Sequence, residues 1–325
     1  MTTSIYSRIA GTGLGLPKRI LSNQDLEKLV DTTDEWIRTR TGIERRHIAA
    51  EGETNLDFCE EAARNAMEAA GVKPQDVDLV IVATTTPDQV FPNMGCLLQR
   101  RLDIHGPMAF SLEAACAGFI YALHIADKII RTGGAKCALV VGGETLSRMT
   151  DYTDRGTCIL FGDGAGAVVL QPSEEPGILS THVHADGQYA DMLYFPSGVS
   201  KGFNDLKSGK DFIQMKGNEV FKVAVHKLGE IVVEALDANG MTGDDIDWLI
   251  PHQANLRIIE ATARKLKMPM ERVILTIQEH GNTSTASVPM ALDVAVRDGR
   301  VKRGQTILLE AFGGGFTWGA ALIRF

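Results

Sequence analysis

The sequence predicts an α/β fold built from two similar halves, and three observations carry that prediction. The first is a repeat. Ala70-Gly71-Val72-Lys73-Pro74-Gln75-Asp76-Val77-Asp78-Leu79-Val80-Ile81 aligns in register with Asn239-Gly240-Met241-Thr242-Gly243-Asp244-Asp245-Ile246-Asp247-Trp248-Leu249-Ile250, an offset of 169 residues from Gly71 to Gly240. The second is that each copy follows an amphipathic helical run, stops at a glycine suited to a left-handed cap, and enters an apolar strand. The third is that the strands read as continuous apolar runs, as in Leu79 to Ala83, Ala138 to Val141 and Ile307 to Leu309. Such runs suit strands buried on both faces, with helices layered on either side.

Taken along the chain, the first helix of the repeat runs from Cys59 to Ala69 and leads through Gly71 into the strand at Leu79. A second helix follows Cys116, with Phe119, Leu123, Ala126 and Ile130 as its apolar stripe. Gly162-Asp163-Gly164-Ala165-Gly166-Ala167 resembles a dinucleotide loop, but Val168-Val169-Leu170 continues as strand where that motif demands a helix, so the glycines read as a tight turn. Gln171 to Gly177 forms the seam, dividing the chain into residues 1–171 and 172–325. Pro196 to Lys210, rich in Gly, Ser and Lys, reads as a surface loop. The second half repeats the pattern with a helix from Leu228 to Ala238 and Gly240 at its end. At the same offset Ala122-Leu123 pairs with Ala291-Leu292. Shifted by one residue, Gly134 to Val141 pairs with Gly304 to Ala311.

Composition excludes several classes. With 33 basic and 41 acidic side chains in 325 residues, net charge −8, the chain is no general nucleic-acid binder, because non-specific phosphate binding needs clustered Lys and Arg. An anionic partner must dock on a local basic patch. No stretch approaches the roughly 18 uncharged apolar residues of a membrane span, and Met1-Thr2-Thr3-Ser4 opens no signal sequence, so a cytoplasmic location is expected. Cys59, Cys96, Cys116, Cys137 and Cys158 form no Cys-x-x-Cys pair. They suggest neither a disulfide framework nor a metal site.

Three polar residues stand where chemistry needs them. Cys116 sits in Glu113-Ala114-Ala115-Cys116-Ala117-Gly118 at a helix N-terminus, where unpaired amides and the positive dipole end favour a thiolate and are expected to bring the pKa below about 8.5. The small neighbours let a substrate approach, although a buried packing cysteine fits the same position. His252 lies in Pro251-His252-Gln253-Ala254-Asn255, at the carboxyl end of the repeated strand, where ligands bind in open α/β sheets. Asn282, in His280-Gly281-Asn282-Thr283-Ser284, precedes the helix that matches the one after Cys116, so the duplication brings both loops to one seam beside His252. A satisfied buried imidazole remains the alternative for His252, and His280 reads as a packing residue. Gly313-Gly314-Gly315 allows close backbone approach, so one amide there serves either an oxyanion or only the fold. Arg257 and Arg264 share a helix face, with Lys265 and Lys267 nearby, as a stripe for an acidic partner or a merely solvated face. Trp36 to Thr41 offers an aromatic plane and cations suited to a nucleotide and its phosphates, and an ordinary surface helix shows the same residues.

As a set, Asp34-Glu35-Trp36 through Arg40-Thr41-Gly42-Ile43, Ala114-Ala115-Cys116-Ala117-Gly118-Phe119, Asp154-Arg155-Gly156-Thr157, Phe161 to Gly166, Pro251 to Asn255, Gly281-Asn282-Thr283 and Phe312 to Gly319 resemble the β-ketoacyl-acyl-carrier-protein synthase III family over nearly the whole chain. The resemblance implies a thiolase-like αβαβα five-layer sandwich of two duplicated halves, usually a homodimer. It implies Cys116 as the nucleophile acylated by an acyl-CoA, typically acetyl-CoA. His252 and Asn282 stabilise the enolate formed as malonyl-acyl-carrier protein loses carbon dioxide, and the amides of Cys116 and Gly314 form an oxyanion hole. Trp36 and Arg155 match residues flanking the CoA adenine, and Arg40, Thr41, Asn218, Asn255 and Arg257 match the CoA and pantetheine channel. Arg257 and Arg264, with Lys265 beside them, fall where the carrier protein docks. Phe91 matches a residue reaching the partner subunit's acyl pocket. The resemblance implies no cofactor and no metal.

Ser111 departs from the Asp that the family often has ahead of Ala-Ala-Cys, and the segment Pro196 to Lys210 matches poorly, leaving the acyl pocket's shape open. Two other readings share these residues. A Cys-His-Asn hydrolase uses the same three types in the same order at papain-like spacing, without the Cys-Gly-Ser-Cys-Trp signature. A relative on the same fold condenses longer or branched acyl groups. A non-enzymatic binding module fits least.

Overall fold

The computed structural model describes residues 5–201 and 211–325. The strands are β1 (Tyr6–Gly15), β2 (Ile20–Ser22), β3 (Arg45–His47), β4 (Leu79–Ala83), β5 (Met108–Leu112), β6 (Ala138–Thr145), β7 (Asp163–Ser173), β8 (Ile178–Ala185), β9 (Leu193–Tyr194), β10 (Gln214–Met215), β11 (Trp248–Pro251), β12 (Thr306–Gly313) and β13 (Thr317–Arg324). The helices are α1 (Asn23–Leu26), α2 (Asp34–Thr41), α3 (Asn55–Ala70), α4 (Met94–Leu102), α5 (Gly118–Arg131), α6 (Arg155–Cys158), α7 (Gly217–Asp237), α8 (Leu256–Lys265), α9 (Ile277–His280) and α10 (Ser287–Arg297).

Two sheets organise them, in the strand orders β1-β7-β6-β4-β5 and β8-β13-β12-β11. In both, the pair at the heart of the repeat is parallel (β4 with β6, β11 with β12); of the remaining pairs β4 with β5 is parallel and the others are antiparallel. Helices α5 and α10 touch both sheets and form the middle layer, and the cluster around Phe119, Ile120, Leu123, Ala291 and Leu292 fills it with buried apolar side chains. Helices α3 and α4 cover the far face of the first sheet, and α7 and α8 the far face of the second. The order is helix, sheet, helix, sheet, helix, the thiolase-like five-layer sandwich.

The two halves repeat hydrogen bonds as well as elements. Val72 N–H donates to Met67 O at 2.9 Å and Met241 N–H to Leu236 O at 3.0 Å. The Asp76 carboxylate accepts from Lys73 N at 2.8 Å, and that of Asp245 from Thr242 N at 2.7 Å. Gly71 and Gly240 both take the left-handed conformation the helix ends require, at φ 66 and 61.

Two expectations are corrected. Ala138 stands opposite Leu79 and Ile307 opposite Trp248, so the offset of 169 holds in these strands and the one-residue shift disappears. It came from matching apolar residues, whereas ladder register is set by backbone pairing. Second, Gly162 to Ala167 is not a turn: Asp163 to Ala167 are the start of β7. Its glycines serve packing instead. A side chain on Gly166 would meet Met290 N at 2.5 Å and Pro289, at the start of α10. Of the predicted surface loop, Val199 to Lys201 form a short 3-10 turn, and residues 202–210 lie outside the described residues.

Candidate active site

Cys116 lies in a 3-10 turn, Ala115–Ala117, directly before α5. Ala115 adopts φ 44, and its amide is held by the Glu113 carboxylate at 2.8 Å, while Thr317 Oγ1 donates to Ala114 O at 2.7 Å. The equivalent turn of the second half is Ser284–Ala286, with Ser284 at φ 51, directly before α10. The two turns pack together. A Cβ on Gly118 would come within 2.9 Å of Thr285 Oγ1, and one on Gly313 within 2.5 Å of the Cys116 nitrogen. Glycine at these positions lets three backbone segments converge on the sulfur.

The Cys116 thiol is not depressed as expected. Burial pushes it up to about 12, the nearby Glu144 and Glu113 carboxylates push the same way, and the Ser284 hydroxyl works against them. Desolvation of a fully enclosed sulfur outweighs the helix terminus, which starts only at Gly118.

His252 follows β11. Its amide donates to Glu310 O at 2.8 Å, and its Nδ1 lies 2.6 Å from the Ser287 hydroxyl at the start of α10. Burial lowers its pKa to about 3, so the imidazole is neutral. Asn282 is fixed through its backbone, with its N–H donating to Leu160 O at 2.8 Å and its carbonyl accepting from Gly162 N at 3.0 Å. Its Oδ1 accepts from Ser284 N–H at 2.8 Å, which leaves the Nδ2 amide as the donor end.

Cys116, His252 and Asn282 line one cavity of about 480 Å³, together with Arg40, Thr41, Asn218, Asn255 and Arg257. A second cavity of about 480 Å³ meets it at Cys116, Phe161 and Leu193 and includes Gly314. Its wall is otherwise largely apolar, with Leu146, Met149, Phe195 and Ile213, and Thr85, Glu113 and Ser284 on the polar side.

The other predicted residues lie along this cavity or further out. Trp36 carries the guanidinium groups of Arg40 and Arg155 against its ring, at 4.4 and 4.9 Å. The Thr41 hydroxyl is engaged locally, donating to Ile37 O at 2.7 Å and accepting from Ile43 N at 3.0 Å. Asn255 caps α8 by accepting from Arg257 N at 3.0 Å, and Arg257 lies over Phe221 at 5.4 Å. Arg264 and Lys265 line an outer groove between α7 and α8, away from the cavity of Cys116, with Arg264 3.9 Å from Glu260. Phe91 is 83% exposed and lines neither cavity.

Sequence reasoning missed the second cavity, Glu144, Ser284 and Ser287. Glu144 carried a signal, since a carboxylate closes the apolar strand Ala138 to Val141; Ser287 sits one offset beyond Gly118, where the duplication marks it. Among the described residues no group of three or more His, Cys, Asp or Glu is arranged to hold a metal ion, and no helix is long and apolar enough to cross a membrane.

Comparison with known proteins finds one family along the chain. Residues 110–187 match the model of 3-oxoacyl-[acyl-carrier-protein (ACP)] synthase III, and residues 236–325 match that of its C-terminal region. A beta-ketoacyl-[acyl-carrier-protein] synthase III of Thioalkalivibrio sulfidiphilus is 65% identical over 98% of this chain and 99% of its own. One from Xanthomonas campestris pv. campestris is 61% identical over 100% of both. The crystal structure of 3-oxoacyl-[acyl-carrier-protein] synthase III from Aquifex aeolicus VF5 superimposes with a TM-score of 0.93 at 49% identity, covering 98% of this chain and 100% of that one.

Proposed function

Because the chain belongs to the β-ketoacyl-[acyl-carrier-protein] synthase III family, we propose that it condenses an acyl-CoA primer, acetyl-CoA in the first instance, with malonyl-acyl-carrier protein. The product is a 3-ketoacyl carrier protein, the starting unit of type II fatty acid synthesis. The enzyme is an acyltransferase. The observation that carries the residue assignment is the meeting of two cavities at Cys116, with His252 and Asn282 on the wall of the first.

In this reading the pantetheine arm of either thioester enters the first cavity, Cys116 takes the acyl group, and the acyl chain lies in the second. The amides of Cys116 and Gly314 hold the oxyanion of the tetrahedral intermediate. Malonyl thioester then occupies the emptied first cavity. The Ser287 hydroxyl donates to His252 Nδ1, so Nε2 carries the proton, and Nε2–H together with Asn282 Nδ2–H donates to the thioester oxygen as carbon dioxide leaves. Two neutral donors suit an enolate, because charge stabilisation rather than proton removal is what decarboxylation needs. The carbanion attacks acyl-Cys116. The malonyl carboxylate leaves its electron pair behind, so the scheme takes no metal or organic cofactor. A hydrolase needs a base that activates water, and an imidazole with its pKa near 3 serves that poorly.

Trp36 and Arg155 are the proposed adenine contacts, which requires Arg155 to leave the Trp36 ring. Arg40, Thr41, Asn218, Asn255 and Arg257 follow the CoA and pantetheine, and Arg257, Arg264 and Lys265 meet the acidic carrier protein. The exposed Phe91 is read as closing the acyl cavity of a second copy in a homodimer, which analytical ultracentrifugation tests directly. Residues 1–171 and 172–325 are taken as the two halves.

Separate assays of acyl transfer and decarboxylation test the assignment. Cys116→Ala is expected to abolish condensation by removing the nucleophile. His252→Ala and Asn282→Ala are expected to keep acylation of Cys116 and to lose decarboxylation by on the order of 100-fold or more, the usual loss for one oxyanion donor. Normal decarboxylation of malonyl-carrier protein by Asn282→Ala would remove the enolate role.

A further inference from the structure

Acylation of Cys116 requires that its proton go somewhere, and the site offers one group placed to take it. Glu144, the penultimate residue of β6, is wholly buried, yet no step above uses it. Its carboxylate gathers donors: Thr86 Oγ1 at 2.5 Å, Thr85 Oγ1 at 3.0 Å, Thr85 N–H at 3.1 Å and Ser284 Oγ at 3.3 Å. Ser284 is held rigidly, by its N–H on Asn282 Oδ1 and by its φ of 51 in the turn facing Cys116. The turn of Ser284 packs against that of Cys116, and both residues line the second cavity. The Ser284 hydroxyl thus leads from the cavity wall that holds Cys116 to the buried carboxylate.

We propose that Glu144 is the proton acceptor for Cys116, acting through Ser284 as a relay. The proposal rests on the acyl-Cys116 reading. In acylation the Cys116 S–H bond breaks as its proton passes to Ser284 Oγ and the Ser284 proton passes to Glu144. The sulfur electron pair forms the new bond to the acyl carbon, and CoA leaves as its thiolate, which takes a proton from solvent. In condensation the carbanion expels Cys116 as a thiolate, and the proton on Glu144 returns by the same path. Atoms and charge balance over the two half-reactions.

The chemistry of the neighbours favours the relay. Burial holds the thiol protonated and opposes a proton on His252. Burial raises Glu144 to about 7 while the Thr86, Thr85 and Ser284 donors pull it back. A base near the working pH is the efficient one. The other titratable groups facing this chain are Glu113 from the Cys116 turn, His252 from the end of β11, and Cys59 from α3, which burial holds well above the usual thiol range.

Two readouts on the intact protein test this. The rate of Cys116 alkylation by iodoacetamide, followed by mass, is expected to rise with pH through an inflection near 7. Glu144→Gln and Ser284→Ala are each expected to lose that inflection and to slow alkylation at pH 7.5 on the order of 100-fold, the scale of general-base assistance. Acetylation by acetyl-CoA is expected to slow in parallel. An unchanged inflection and rate in Ser284→Ala, whose fold loses only one hydroxyl, would overturn the relay even if Glu144→Gln does not fold. Failure of the unaltered protein to accept acetyl from acetyl-CoA would strike at the substrate assignment instead, and the iodoacetamide profile would still decide the relay.

Discussion

His252 shows how a backbone neighbour sets a side chain's chemistry. Its amide donates to Glu310 O, which fixes the residue at the strand end, and Ser287 fixes the ring. Glu310 itself faces the α7 and α8 layer with both carboxyl oxygens buried and unpartnered among the described residues, and burial raises its pKa to about 8. Its folded-state pKa exceeds the ordinary value of 4.5, so the folded protein binds a proton there that the unfolded chain releases between those values. Stability from this group is therefore complete below about pH 4.5 and is lost as pH rises through about 8. Glu310→Gln, which removes the ionisation and keeps the shape, is expected to raise Tm over wild type at pH 8 and to lose that advantage towards pH 5. A difference in Tm that is the same at both pH values would contradict the buried acid. At this scale the convergence of Cys116, His252 and Asn282 on one cavity was legible because each stands beside an element boundary that the pattern marks. Glu144 and Ser287 are marked by position but their contacts were not legible, because their partners lie about 60 and 35 positions away and become neighbours only in the fold. The direction of the Cys116 shift also escaped, since a helix terminus is visible in sequence and the degree of burial is not.

Elements were legible where polarity and punctuation agree. The helix, left-handed glycine and apolar strand of each repeat are present, because cap and periodicity report local backbone geometry, although the helices begin earlier than read, at Asn55 and Gly217. The glycines were harder, since a glycine marks either a turn or a close approach. In β1, Gly11, Gly13 and Gly15 lie on one side of the strand, and a side chain on any of them would run into the α3 backbone at Ala66, Ala62 or Phe58. Helix α3 consequently packs directly on β1. Gly13→Ala is expected to force the helix outward at a cost of about 1–3 kcal/mol, the range for overpacking. Chemical denaturation measures it, and a variant as stable as wild type would mean the helix rests more loosely than described. The Gly162 to Ala167 run has the same cause, and periodicity alone could not distinguish it from a turn.

At the scale of the molecule, duplication places two turns of the same conformation, Ala115–Ala117 and Ser284–Ala286, back to back between the sheets. The cavity takes Cys116 from the first copy of the repeat and His252 and Asn282 from the second, so neither copy alone lines it. The offset of 169 made this architecture legible before any coordinates. The second cavity was not, because residues as distant as Leu146, Ile213 and Gly314 line it. The central claim is that Cys116 carries the acyl group between two thioester substrates. Intact-protein mass spectrometry after mixing with acetyl-CoA, chased with malonyl-carrier protein or with buffer, tests it most directly. The account predicts an acetyl adduct on Cys116 that persists in buffer and is discharged by malonyl-carrier protein into a 3-ketoacyl product. An adduct that water clears at the same rate in both chases would contradict it.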